Sequence, residues 1–130
     1  MSSRYLLDAS AVLALIWNEP GADQVQPLLM AAEMTAVNLA EVVKKLRERG
    51  VPKEDVDAIV SDLQIPVGGG PGNLEQAVAV GEVAAAGRPF GLSLGDSVCL
   101  AMADWSGLTA VTAERRWTEV MPGAKILVIR

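Results

Sequence analysis

The stretch Gly91-Leu92-Ser93-Leu94-Gly95-Asp96-Ser97-Val98-Cys99-Leu100-Ala101-Met102-Ala103 limits the fold more than any other. Turn-forming residues lead into an almost unbroken apolar helix. A helix that is apolar all round has to be buried. Its start then opens on whatever cleft the fold provides, and Asp96 in the first turn is held there.

Around this helix, short apolar runs alternate with helical patterns. Arg4–Leu7, Met34–Val37, Ile65–Val67, Leu108–Val111 and Lys125–Ile129 read as strands. Ala9–Trp17, Ala22–Ala32, Asn38–Arg49, Pro52–Leu63, Asn73–Ala86 and Ala113–Val120 read as helices, and the Asp96 helix runs to Trp105 or Ser106. The alternation predicts βα units: an α/β fold whose central parallel sheet is covered on both faces. Residues 1–130 make one domain of ordinary size. Gly68-Gly69-Gly70-Pro71-Gly72 reads as the most flexible loop.

Composition narrows the chemistry. Hydrophobic residues make up 51% of the chain, enough for a substantial core. The net charge of -5 argues against a protein held to nucleic acid by a broad basic face. It leaves room for a nuclease that uses bound metal and a few local cations. The chain has one cysteine and no histidine. A disulfide framework, a cysteine zinc site, a Ser-His-Asp triad, a Cys-His pair and a histidine metal site are all excluded. Catalysis must use carboxylates, hydroxyls, lysines or arginines. No apolar run is long enough to span a membrane and no secretory signal stands out, so a reducing cytoplasm is the expected setting. Trp17, Trp105 and Trp117, in or beside apolar helices, read as core or interface anchors.

In an open parallel sheet, ligands bind beyond the carboxyl ends of the strands. Asp8 follows the first strand, Glu41 lies in the first turn of the helix after the second, Asp96 opens the buried helix, and Glu114 follows the strand Leu108–Val111. Taken singly, Ser93-x-x-Asp96 and Asn38-x-x-Glu41 are explained as capping boxes. Taken together, four carboxylates in one cleft repel one another, and a divalent cation relieves that repulsion. An all-oxygen donor set suits Mg²⁺ or Mn²⁺ rather than zinc. Ser10 and Thr112 read either as helix caps, the slightly favoured reading, or as hydroxyls that hydrogen-bond a carboxylate or a metal-bound water. Lys44, Lys45, Arg47 and Arg49, on the Glu41 helix, and Arg115 and Arg116, beside Glu114, are the candidate phosphate contacts, weighed against a solvated helix face.

Four blocks, Leu6-Leu7-Asp8-Ala9-Ser10, Asn38-Leu39-Ala40-Glu41-Val42, Gly91-Leu92-Ser93-Leu94-Gly95-Asp96 and Thr112-Ala113-Glu114-Arg115, resemble the PIN-domain family in order and spacing. The likeness is closest to the VapC-type ribonuclease toxins of toxin–antitoxin pairs and runs over essentially the whole chain. It implies a three-layer α/β/α fold and a Mg²⁺- or Mn²⁺-dependent endoribonuclease. It also implies a homodimer and a cognate antitoxin that covers the active site. Asp8, Glu41 and Asp96 take the main acidic roles. Glu114 stands where the family usually has Asp, which puts a second metal site in question. Water is the implied nucleophile, leaving a 5′-phosphate and a 3′-hydroxyl.

Two other phosphate-handling folds fit less well. A haloacid-dehalogenase phosphatase needs a second Asp where this chain has Ser10. A phospho-receiver domain has no counterpart of the Asp96 block, and Lys125 suits its lysine only loosely. A non-catalytic binding protein on the same fold, or a metal-dependent nuclease or phosphatase outside a toxin–antitoxin pair, is the competing function.

Overall fold

A computed structural model describes residues 3–130. Its strands are β1 (Tyr5–Leu7), β2 (Ala32–Thr35), β3 (Val67–Gly68), β4 (Thr109–Thr112) and β5 (Ile126–Val128). Its helices are α1 (Ala9–Ile16), α2 (Ala22–Val25), α3 (Ala36–Glu48), α4 (Lys53–Leu63), α5 (Leu74–Gly87), α6 (Leu94–Ser106) and α7 (Trp117–Val120). The five strands form one sheet in the order β3-β2-β1-β4-β5. Every pairing is parallel.

The order decides where a ligand can bind. From β1 the chain steps outward through β2 to β3, then returns to place β4 on the other side of β1. The connections after β1 and after β4 therefore diverge, and a crevice opens between the carboxyl ends of these two strands. Leu7 pairs with Val111, so Asp8 and Thr112 emerge side by side at the crevice.

The strands divide their side chains between two cores, as a pleat of period two requires. Leu7, Met34 and Val111 point into the core shared with α1, α3 and α4. Leu6 and Ala110 point into the core shared with α5, α6 and α7. The result is the expected α/β/α sandwich. α3 is amphipathic: Val42 and Leu46 are fully buried, and each contributes about 1.5–3 kcal/mol. α6 is the buried helix of the sequence: Ser97 to Ala103 are buried without a break. Cys99 lies within that run, and burial pushes its thiol well above the usual range.

Several local expectations need correction. Ala22–Ala32 is not one helix. Gly21 turns into the short α2, and Gln26–Ala31 is a 3₁₀ helix with Pro27 in its first turn. β2 lies two residues earlier than Met34–Val37, because Thr35 already caps α3 by accepting from the Asn38 N–H. The helix read over Ala113–Val120 shrinks to α7. The glycine run is not wholly loop: Gly68 pairs with Thr35 in the sheet, and Gly70, at φ +126°, lies against Met102, where a Cβ would come within 2.8 Å of Sδ. Trp117 is core, whereas Trp105 is half exposed and Trp17 lies at the edge of the crevice.

Candidate active site

Asp8 is built by the strand pairing. Its N–H donates to the Val111 carbonyl at 2.9 Å, continuing the β1–β4 ladder past the last strand residue. Its side chain turns back as the N-cap of α1. Oδ2 accepts from the Ser10 hydroxyl at 2.7 Å and from the Thr112 hydroxyl at 3.2 Å. Ser10 Oγ accepts in turn from the Ala113 N–H, and Thr112 Oγ1 from the Glu114 N–H. Ser10 and Thr112 are therefore not helix caps, contrary to the favoured reading. Ser10 lies inside α1 and Thr112 ends β4, and both serve the carboxylate.

The second carboxylate oxygen, Oδ1, is buried and has no hydrogen-bond partner. Burial pushes the Asp8 carboxyl up to about 7; the Ser10 hydroxyl opposes the shift, and the charges of Asp96 and then Glu41 add to it. An acid held this way prefers its proton unless a cation takes the proton's place.

Glu41 arrives from the other side of the crevice. It is not in the first turn of α3, because Thr35 rather than Asn38 is the cap. Asn38 is fully buried and acts as a bracket instead. Its Oδ1 accepts from the Thr35 hydroxyl at 2.6 Å, and its Nδ2 donates to Glu41 Oε1 at 2.8 Å and to the Gly95 carbonyl at 3.0 Å. One amide thus ties α3 to the start of α6. Gly95 makes the approach feasible, since a Cβ there would collide with the Glu41 carboxylate. The Glu41 carboxyl is raised by burial; its bond from Asn38 opposes this, the Asp96 charge adds to it, and Lys45 and Lys44 pull it down.

Asp96 satisfies both descriptions. It closes a capping box, with Oδ2 accepting from the Ser93 N–H at 3.0 Å and its own N–H donating to Ser93 Oγ at 3.1 Å. Its charge also reaches Asp8 and Glu41. Glu114 is exposed, on the loop after β4, and its side chain is unanchored. All four acids nevertheless line one open cavity of about 680 Å³. Among the described residues, no three of them are close enough together to enclose an ion.

The cations divide. Lys44, Lys45 and Arg49 line the same cavity, as does Arg130, which pairs with Glu19 at 3.6 Å. Arg47 turns away to the Val51 carbonyl. Arg115 and Arg116 do not line this cavity: Arg115 donates to the Arg130 carbonyl, and Arg116 lies over the Phe90 ring and lines a smaller adjoining pocket together with Asp96 and Glu114. Two contributors escaped sequence reasoning: Arg130, at the end of the chain, and Asn38 as a bracket. Asn38 gave no distinct signal in the sequence, because an Asn near a helix start reads equally well as its cap.

The PIN domain family matches residues 5–121. No curated protein matches the chain. Among solved structures, PAE2754 from Pyrobaculum aerophilum is 24% identical with a TM-score of 0.63, covering 97% of this chain and 92% of its own. A DNA-bound VapBC from Salmonella typhimurium is 16% identical with a TM-score of 0.75, covering 98% and 99%. A toxin–antitoxin complex from Klebsiella pneumoniae is 17% identical with a TM-score of 0.63, covering 97% and 98%. These likenesses show a shared fold. The family match spans nearly the whole sequence and includes all four acids, and on that basis the chain belongs to the PIN domain family.

Proposed function

We propose that this chain is a divalent-metal-dependent endoribonuclease and the toxin of a toxin–antitoxin pair. The observation that carries the proposal is Asp8: a buried carboxylate at the β1–β4 crevice, one oxygen fixed by two hydroxyls, the other without a protein partner, with Glu41 and Asp96 in the same cavity.

The donors suit Mg²⁺ or Mn²⁺. They are oxygens only, and the unpartnered Oδ1 of Asp8 is a ready ligand atom. Asp8 and Asp96 would hold the ion, with Glu41 and Glu114 as further oxygen donors on the cavity wall. Because no three acids among the described residues enclose an ion, waters would fill the remaining positions, as Mg²⁺ with one or two carboxylates does. When bound, such an ion polarises a phosphodiester and lowers the pKa of a coordinated water. The chain's own residues do the remaining work. Ser10 and Thr112 fix the rotamer of Asp8, and Asn38 fixes that of Glu41. Lys44 and Lys45 offer charge to the phosphates of an RNA strand.

The partner side of the proposal rests on surface. Val37 on α3 and Leu94 on α6 are exposed and line an apolar groove of about 410 Å³, to which α5 contributes Ala77 and Val80; Leu74 and Val78 are also exposed on α5. Such a face suits a second copy of the chain or a cognate antitoxin. Among the described residues, no helix is long and apolar enough to cross a membrane. We place the whole chain, as one domain, in the cytoplasm.

The test is RNA cleavage by native protein and Asp96→Asn, each with Mg²⁺ and with EDTA. The proposal expects cleavage only by native protein with Mg²⁺. Cleavage that survives both the substitution and the chelator overturns it.

A further inference from the structure

The cavity is not uniformly acidic. Two helices leave the acids side by side: α1 starts at Asp8 and α3 carries Glu41. The face of α3 on the cavity reads Glu41, Lys44, Lys45, Glu48, Arg49, a helical stripe at i, i+3, i+4, i+7 and i+8. α1 contributes Ser10 and Leu13, and Trp17 just beyond its end. Both stripes finish together. Trp17 is the C-cap of α1, Arg49 is the C-cap of α3, and the Arg49 guanidinium lies over the indole at 4.0 Å from the ring centroid. From Glu41 to Arg49 the helix rises about 12 Å. That length takes roughly three stacked nucleotide steps of about 3.4 Å each.

The end of this channel differs chemically from its start. Arg49 is exposed and has no acidic partner within ion-pair distance among the described residues, and one face of its guanidinium is covered by indole. Stacking on Trp17 restricts the side chain, so less freedom is lost when a ligand meets it. The guanidinium edge can donate two hydrogen bonds to a phosphate, while its outer face can stack a base. Only an unpaired base offers a free face. Lys44 is partly neutralised by Glu48 at 3.8 Å, which leaves Lys45 and Arg49 as the main free cations of the α3 stripe.

We propose that the Trp17–Arg49 stack is a binding subsite for an unpaired nucleotide of a single-stranded RNA, about three nucleotides from the acids. Trp17 holds the guanidinium flat, Arg49 contacts one phosphate and one base, and duplex substrates are disfavoured because their bases are already stacked. This rests on and deepens the nuclease reading, and it is tested apart from cleavage.

The test is the anisotropy of a labelled RNA with native protein in EDTA at low salt, using a single strand, its duplex and a single strand carrying abasic positions. Native protein is expected to prefer the single strand and to lose affinity for the abasic strand. Arg49→Lys keeps the charge and removes the plane. It is expected to weaken single-strand binding about tenfold, to leave the salt slope unchanged, and to abolish the penalty for abasic positions. Arg49→Gln also lowers the magnitude of the salt slope by about 0.7. Trp17→Leu is expected to behave like Arg49→Lys. If Trp17→Leu fails to fold, Arg49→Lys decides alone. An Arg49→Lys protein that binds single, abasic and duplex RNA as native protein does overturns the proposal, even if cleavage is intact. Native protein that shows no single-strand binding also overturns it. Selective binding lost in Arg49→Lys supports it even if no cleavage is found.

Discussion

Asp8 and Glu114 follow neighbouring strands, line the same cavity and both bear a carboxyl group, yet the fold treats them differently. Asp8 is 1% exposed, caps a helix and accepts from two hydroxyls. Glu114 is exposed, and only its backbone is tied down, to Thr112. Strand order brings both to the crevice. The Ser10–Thr112 pair fixes the geometry of Asp8 alone, and burial raises its pKa against the pull of the Ser10 hydroxyl. Topology brings both acids to the crevice, and anchoring distinguishes them.

The contrast should be largest in catalysis. Asp8→Asn is expected to lower the rate of RNA cleavage about 10³-fold, the usual scale for losing a preorganised electrostatic group. Glu114→Gln is expected to lower it about tenfold at most, because an exposed, mobile charge is screened by water and salt. Equal losses in single-turnover assays at saturating Mg²⁺ would break the comparison.

Stability without metal should show it next. Folded Asp8 keeps its proton up to about pH 7, whereas the unfolded chain releases it near 3.8. The folded state binds more protons in that window, so its stability is full below about pH 4 and is lost as pH rises through 7. The total is on the order of 4 kcal/mol, since each pH step between the two values is worth about 1.4 kcal/mol. Melting curves in EDTA should show Tm falling from pH 4 to pH 7 in native protein and much less in Asp8→Asn.

Smaller effects sharpen the reason for the difference. Ser10→Ala removes a donor to Asp8 and leaves the Ala113 N–H without its acceptor. It should cost about 1–3 kcal/mol in denaturant unfolding and raise the Asp8 pKa further. Asp96→Asn keeps the capping geometry, since an amide oxygen can accept from the Ser93 N–H, while removing a charge that acts on both Asp8 and Glu41. It should raise the Tm of metal-free protein by about 1–3 °C at neutral pH, corresponding to less than about 1 kcal/mol. A lower Tm would mean that capping outweighs repulsion.

The same distinction explains what was legible in the sequence. The α/β/α layers and the parallel sheet followed from alternating apolar runs, and α6 from thirteen residues of turn and apolar pattern. The slots of Asp8, Asp96 and Glu114 followed from topology alone. What did not follow depended on which side chain wins a local hydrogen bond. Thr35 and Asn38 are both good caps, and only the buried environment turns Asn38 into a bracket between Glu41 and Gly95. For Ser10 and Thr112 the sequence offers both a cap and a hydroxyl on a carboxylate; the adjacency of β1 and β4, which it does not show, selects the second by placing both hydroxyls on one carboxylate oxygen. Arg115 and Arg116 sit next to an acid of the cavity in sequence, but the loop after β4 directs them to the Arg130 carbonyl and the Phe90 ring. The glycine run reads as the most flexible loop, but Gly68 pairs in the sheet and Gly70 lies against Met102.

The proposed activity requires above all that Asp8 exchange its proton for a divalent cation. Calorimetric titration of Mg²⁺ and Mn²⁺ into native protein and Asp8→Asn at pH 7 measures this directly. Native protein should show a saturable site with release of about half a proton, since a carboxyl raised to about 7 is half protonated at that pH, and Asp8→Asn should show neither. A site of equal affinity in both proteins, or no saturable site in native protein, would contradict it.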